Sequence, residues 1–219
     1  MWTHTRHQKL WAHVLPTLSH DDLAHDWLHV QRVTKWCIRI AESINVSTDL
    51  AGAAGLLHDL INIPKESDLR SLGSTLSAEA GVQYLEMVHY TKPEIDSITE
   101  AIVTCSWSRG LEPTNNIGKV LQDADRLDAI GGIGIVRNIA CAQAMRSRKH
   151  TGTLYHPERP IPWNVPPEDL DDKEHALDHF FCKLLKLKDS MHTDLAKAEA
   201  QRRHDWMLQF LSEIERELM

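Results

Sequence analysis

Apolar residues recur every three or four positions along most of this chain, and no segment sustains the alternation expected of a strand. The clearest stripe lies in residues 21–44 and consists of Leu23, Trp27, Val30, Val33, Cys37, Ile40 and Ile44. A stripe with this period buries one face of a helix against a core. The pattern therefore predicts an all-α fold.

The same periodicity, with glycine and proline as breakers, predicts further helices near residues 47–60, 77–89, 93–106, 118–148, 173–187 and 194–218. The intervening residues 149–172 are rich in proline and are expected to form an ordered excursion over the surface. The 219 residues contain no repeat and no low-complexity tract. We expect one helical domain over 1–219, with its core at about 20–148 and C-terminal helices at 173–218.

Composition excludes several classes of protein. A net charge of −7 argues against a sequence-independent nucleic-acid binder. No apolar run approaches the roughly 18 residues of a membrane span, and the first residues lack the apolar segment of a secretory signal. The four cysteines are far apart and form no CxxC pair, as in proteins of a reducing compartment. We therefore expect a cytoplasmic protein without nucleic-acid or membrane partners, and the sequence leaves a homodimer open.

The pair His58-Asp59 differs from the other His-Asp pairs of the chain in its surroundings. Aliphatic residues precede and follow it, and ionisable groups among aliphatics need partners because burying an unpaired charge is costly. His29 lies beside the apolar stripe of its predicted helix. Taken alone, His29 is better explained as a core histidine bonded to Asp26. The pair and His29 together suggest ligands.

Asp125 lies in an acidic run, which is usually a solvated face, but its neighbours Ala124 and Leu127 favour an inward position. On a helix Asp128 shares the face of Asp125, whereas Asp123 points nearly the opposite way, so we expect replacement of Asp123 by alanine to be mild. Two imidazoles and two carboxylates suit a borderline or hard divalent ion. Four such ligands leave coordination positions for water and a phosphate oxygen.

Four stretches of the chain resemble the HD-domain phosphohydrolase superfamily, and in particular its bacterial YedJ/YpgQ-like subgroup. They are AHDWLHVQRV (24–33), GLLHDLINIPK (55–65), LQDADRLDAIGGIGIVR (121–137) and DHFFCKLLKLKDSMHT (178–193). The resemblance implies an all-α bundle with an ion between helices and the H…HD…D ligand set His29, His58, Asp59 and Asp125. It also implies hydrolysis of phosphate esters or anhydrides, with nucleoside triphosphate pyrophosphohydrolysis favoured.

We expect one divalent ion per chain, with Mn²⁺ or Mg²⁺ favoured and Fe, Co, Ni or Zn as alternatives. Close relatives carry His-Ser where this chain has Cys105-Ser106, and His89 is the only histidine between Asp59 and Asp125. HD relatives with two metals, such as the di-iron oxygenases, generally need two further histidines there. A redox oxygenase is therefore disfavoured.

Other residues are candidates for substrate contact and catalysis. Lys65 and Arg70 follow the His58-Asp59 segment and could bind phosphate, although both could equally be solvated loop charges. His25 precedes His29 by four positions and could face the same cavity, or could be structural. The candidate catalytic carboxylates are Asp59 and, as a group that orients a ligand or the attacking water, Asp128.

The leading hypothesis is a phosphohydrolase that attacks a small nucleotide with water activated by the metal. One alternative is a nucleotide phosphomonoesterase, which releases orthophosphate rather than pyrophosphate. Another is a non-catalytic HD module that binds metal or a nucleotide.

Overall fold

Helices dominate the computed structural model, which describes residues 4–18, 22–64, 67–149 and 152–218. Strand pairing within these ranges is limited to two isolated bridges, Thr153 with His175 and His156 with Arg159. None of the described helices is both long enough and apolar enough to cross a membrane. The prediction of an all-α fold is confirmed.

The described α-helices fall into two compact units, Met1–Asp125 and Arg126–Met219, and the boundary lies within α6. The single domain expected from the sequence stays a prediction. The helices are α1 Thr5–Val14, α2 Trp27–Ser43, α3 Thr48–Leu57, α4 Gly73–Met87, α5 Lys92–Thr104, α6 Asn116–Asp128, α7 Gly131–Lys149, α8 Asp178–Cys182 and α9 Asp194–Leu218.

Helix α3 is the centre of the first unit. Every residue of its 51–57 segment is buried, and it packs against α1, α2, α4 and α5. Gly55 lies directly against α2, where an added Cβ would be only 2.9 Å from the Cα of Thr34. This close approach brings together the faces of α2 and α3 that carry His29 and His58.

Capping side chains determine where α2 and α3 begin. Asp26 Oδ1 accepts a hydrogen bond from the backbone N–H of His29 at 2.8 Å, and Ser47 Oγ accepts one from Leu50 at 3.3 Å. Such caps satisfy backbone donors that have no partner inside the helix. The helix predicted from residue 21 therefore begins only at Trp27, and Asp26 binds the backbone of His29 rather than its ring.

Helix α1 was not predicted from the sequence. A polar cluster holds it against the rest of the first unit. The fully buried His7 lies with Nε2 2.7 Å from the carbonyl oxygen of Asp49, whose carboxylate accepts a hydrogen bond from Tyr90 Oη at 2.9 Å. Arg6 forms ion pairs with Asp49 and Glu94. Burial alone would raise the pKa of Asp49, but the hydrogen bonds from His7, Tyr90 and Arg6 hold it below its usual range.

The long helix predicted at 118–148 is divided into α6 and α7. Helix α6 ends at Asp128, and α7 begins at Gly131, which adopts a φ of 77° that favours glycine. Gly131, Gly132 and Gly134 interrupt the pattern here, so the sequence predicts a kink or close packing at this point. It does not predict two separate helices, because apolar periodicity continues across the glycines.

In the second unit, α7 packs against α9, and α9 has the bounds predicted from the sequence. The predicted helix at 173–187 is instead the short α8 and a 3₁₀ segment, Leu184–Ser190. The fully buried Asp178 orders the excursion before α8, since it accepts hydrogen bonds from Arg159 Nη1 and the backbone of Asp171, each at 2.9 Å.

Candidate metal site

The four predicted metal ligands lie together in the first unit. His29 Nε2 and His58 Nε2 are 3.2 Å apart. Asp59 Oδ2 lies 3.4 Å and 3.7 Å from these two nitrogens, and Asp125 Oδ1 lies 3.6 Å and 3.9 Å from them. Residues from α2, the end of α3 and α6 therefore converge on one point.

These separations fit a single divalent cation. An octahedral ion about 2.1 Å from its ligands requires neighbouring ligand atoms about 3.0 Å apart and opposite ones about 4.2 Å apart. The two imidazole nitrogens are 3.2 Å apart and lie 3.4–3.9 Å from the carboxylate oxygens, and all these separations are within that range. Ligand atoms of His29, His58 and Asp125 all lie within 4.8 Å of one another.

The protonation of His58 supports the same interpretation. Its Nδ1 lies 2.8 Å from the carbonyl oxygen of Gly55, which can only accept, so Nδ1 carries the proton and the Nε2 lone pair faces His29. The two imidazoles are buried. Two imidazole nitrogens facing each other at 3.2 Å need a proton or a cation between them.

The carboxylates of the cluster reach solvent although the imidazoles do not. The side chains of Asp59 and Asp125 are 24% and 31% exposed, against 0% and 1% for His29 and His58. Burial would raise the pKa of Asp59, but the interactions of its carboxylate with His58 and His29 hold it well below its usual range. The site therefore opens on an anionic side.

The other two acids of α6 differ from Asp125. Asp123 is fully buried, which the helix-face argument did not anticipate, so its replacement is no longer expected to be mild. Asp128 lies in the second unit, is also buried, and accepts a hydrogen bond from Arg137 Nη1 at 3.0 Å. Its role in orienting a ligand stays a prediction.

The predicted substrate contacts have different outcomes. Lys65 lies outside the described residues. Arg70 donates hydrogen bonds to Asn62 Oδ1, at 3.2 Å, and to the carbonyl of Ile63. His25 precedes α2 rather than lying on it, so helical spacing does not explain why the rings of His25 and His29 lie side by side. Its ring nevertheless lies edge-on to that of His29, with centroids 6.0 Å apart.

Cys105 lies close to the cluster, at the end of α5. Burial, followed by the charges of Asp125 and Asp59, raises the pKa of its thiol well above the usual value, and Arg109 only partly opposes this. A neutral thiol, which is a poor ligand for a hard cation, therefore lies beside the cluster.

Arg109 is a nearby cation that the sequence analysis did not single out. Its Nη1 donates to Ser74 Oγ at 3.1 Å, to Thr75 Oγ1 at 3.0 Å and to the carbonyl of Val103 at 3.0 Å. It follows α5 in a short 3₁₀ turn, where no periodic pattern could have predicted its position.

Comparison with known proteins identifies the family. The HD domain family matches residues 27–130. The Bacillus subtilis protein YpgQ is 35% identical over 205 residues, which cover 92% of this chain and 88% of YpgQ. The chain belongs to the HD superfamily of hydrolases, in the YpgQ-like group.

Several solved structures share this fold over nearly the whole chain. A Lactobacillus plantarum protein has a TM-score of 0.75 at 29% identity, covering 99% of this chain and 98% of its own. YpgQ in complex with ADP has a TM-score of 0.70 at 33% identity, covering 96% and 97%. An HD-superfamily hydrolase from Bacillus thuringiensis has a TM-score of 0.69 at 32% identity, covering 97% and 96%.

Proposed function

We propose that this HD protein is a divalent-metal-dependent phosphohydrolase of nucleotides, and that it converts nucleoside triphosphates and water into nucleoside monophosphates and pyrophosphate. The observation that carries the proposal is the cluster of two buried imidazoles and two partly exposed carboxylates, with separations of 3.2–3.9 Å. The ADP bound by YpgQ, a relative of similar fold, supports a nucleotide as the substrate.

His29, His58, Asp59 and Asp125 would hold one cation, with Mn²⁺ or Mg²⁺ favoured because half of the donors are carboxylate oxygens. When bound, such a cation supplies Lewis acidity and neutralises phosphate charge. Asp59, at the solvent side of the cluster, would be the carboxylate that accepts a proton from the attacking water. Asp128, one helical turn after Asp125, would orient a ligand or that water.

Cations near the cluster would bind the phosphates that are not attacked. Arg70 and Lys65 lie on the segment that follows Asp59, and the His25 ring lies beside that of His29. Guanidinium groups form paired hydrogen bonds with phosphate oxygens, whereas a lysine acts as a point charge. We propose all three as substrate contacts.

A metal-dependent product analysis tests the proposed reaction. The protein is stripped with EDTA, reloaded with Mn²⁺ or Mg²⁺, and incubated with nucleoside mono-, di- and triphosphates. We expect metal-dependent release of pyrophosphate from triphosphates. Orthophosphate from monophosphates would instead identify a phosphomonoesterase. Binding of Mn²⁺ and ADP without turnover of any nucleotide would identify a non-catalytic module.

Variants of the cluster test where the reaction occurs. His58→Ala and Asp125→Asn should abolish turnover and weaken Mn²⁺ binding, measured by titration calorimetry. His13→Ala, which removes an exposed imidazole from α1, and Asp68→Asn, which removes an exposed carboxylate, are the matched controls and should change neither. Metal-dependent activity that survives in both cluster variants would place the active site elsewhere.

A further inference from the structure

A chain of hydrogen-bonded side chains runs from the edge of the metal cluster to Arg70. His25 Nδ1 lies 2.9 Å from Asp22 Oδ2. Asn62 Nδ2 donates to the same Asp22 oxygen at 3.0 Å, and Asn62 Oδ1 accepts a hydrogen bond from Arg70 Nη1 at 3.2 Å. Three segments that are distant in sequence are linked: the turn before α2, the loop after Asp59 and the 3₁₀ turn before α4.

The two ends of this chain are the groups proposed above as phosphate contacts. The His25 ring lies edge-on to His29, with an interplanar angle of 84°. The hydrogen bond from His25 is the main cause that keeps the pKa of Asp22 below its usual range, so Asp22 is an anion that orients the ring through Nδ1. At the other end, the carbonyl of Ile63 also accepts from Arg70 Nη1.

Asn62 is the link whose chemistry is hardest to replace. A side-chain amide is planar and carries both a donor and an acceptor, so it can donate to a carboxylate and accept from a guanidinium at once. Aspartate at this position would repel Asp22. Alanine would leave Arg70 without its side-chain acceptor and allow its long side chain to sample more rotamers.

We propose that Asn62 is a positioning residue, which places Arg70 and His25 as a pair of phosphate-binding groups on one side of the metal cluster. The inference rests on the proposed function, because it assumes that a nucleotide phosphate binds there. Asn62 itself touches neither the ion nor the substrate in this arrangement and acts through its two neighbours.

A double-mutant cycle with Arg70 tests the role of Asn62. Asn62→Ala should raise KM for a nucleoside triphosphate about tenfold while kcat changes less than about threefold, because a hydrogen bond to a charged group is lost but no reacting group is touched. If Asn62 acts through Arg70, and through His25 as well, the double variant should lose less than the product of the two single losses. Losses that multiply in the double variant would overturn the proposal.

Two measurements separate positioning from general support of the fold. Asn62→Ala should bind Mn²⁺ as the wild type does and should unfold at the same urea concentration. The control Gln83→Ala, which removes an exposed amide from α4, should change no parameter. A loss of Mn²⁺ affinity or of stability in Asn62→Ala that matches its loss of activity would make Asn62 structural and refute the positioning role.

The cycle can also be measured without turnover, so that failure of the proposed reaction does not hide the result. With Mn²⁺ present, ADP is titrated into the same variants. If the wild type binds ADP without hydrolysing any nucleotide, the proposed reaction fails. The positioning role is still supported if Asn62→Ala binds ADP about tenfold more weakly than wild type and has a smaller effect on the Kd in the Arg70→Ala background. An unchanged Kd for ADP in Asn62→Ala refutes it.

Discussion

The contact of Gly55 with α2 allows a direct test of how the fold positions the metal ligands. A Cβ added at Gly55 would lie 2.9 Å from Thr34 Cα and 3.1 Å from Cys37 Sγ, whereas ordinary contacts begin at 3.4 Å. Because Thr34 Cα is a backbone atom, it cannot rotate away. Gly55→Ala therefore requires α2 and α3 to separate by about 0.5 Å, the difference between 3.4 Å and 2.9 Å.

That separation has a cost in stability and in metal binding. Overpacking costs about 3 kcal/mol when backbone must shift, and alanine recovers about 1 kcal/mol through its higher helix propensity. We expect a net loss of about 2 kcal/mol in the free energy of unfolding. His29 and His58 lie on the two helices, and ligand distances tolerate shifts of only about 0.2 Å, so Mn²⁺ affinity should fall at least about tenfold.

Urea unfolding and Mn²⁺ calorimetry measure the two effects, with Gly81→Ala as the matched control. Gly81 lies in α4, where a Cβ would be 3.5 Å from the nearest atom, a flexible side-chain carbon of Leu57. This control should be more stable than wild type by about 0.5–1 kcal/mol and should bind Mn²⁺ normally. The reasoning would be refuted by a Gly55→Ala protein as stable as the control with unchanged Mn²⁺ affinity.

Three further predictions concern buried polar groups of the first unit. Gly52→Ala should lose about 2 kcal/mol in urea unfolding, because its Cβ would lie 2.2 Å from the buried His7 ring, and the same change in a His7→Ala background should cost nothing more. Tyr90→Phe should lose about 1 kcal/mol at pH 7. The folded-state pKa of Asp49 is lowered, so the stability that Tyr90 contributes through it is present above the unfolded pKa of about 4 and is lost as pH falls, and the two proteins should converge in unfolding titrations at acidic pH. Asp123→Ala should lose about 2 kcal/mol but retain Mn²⁺ binding, and lost binding would make Asp123 part of the metal site.

The fold class and the convergence of the ligands could be predicted because their signals are local. Aliphatic residues on both sides of His58-Asp59 indicated burial of that pair. The contact at Gly55 places His29 and His58 within reach of one ion. The local pattern was enough for the burial of His58-Asp59, whereas the grouping of His29 and Asp125 with that pair rested on the resemblance to the HD superfamily.

Features that depend on distant partners could not be predicted. His7 is polar in sequence yet fully buried, because Asp49 of α3 supplies its partner only once the chain has folded. The position of His25 beside His29 likewise depends on a turn held by Asp22 rather than on helical spacing. Apolar periodicity carries no information about either arrangement.

The imidazoles of the metal cluster are buried and its carboxylates are partly exposed, and this difference has consequences for the proposed reaction. Neutral imidazoles can be buried at modest cost, whereas ionised carboxylates lose far more hydration. His29 and His58 accordingly lie inside, and Asp59 and Asp125 line the side open to solvent. Under the proposed function, a nucleotide that approaches from that side would meet two negative charges, which would repel its phosphates until a cation is bound. Removal of the metal should therefore weaken substrate binding as well as stop turnover, and the cationic group at Arg70 becomes important for the phosphates that the ion does not reach.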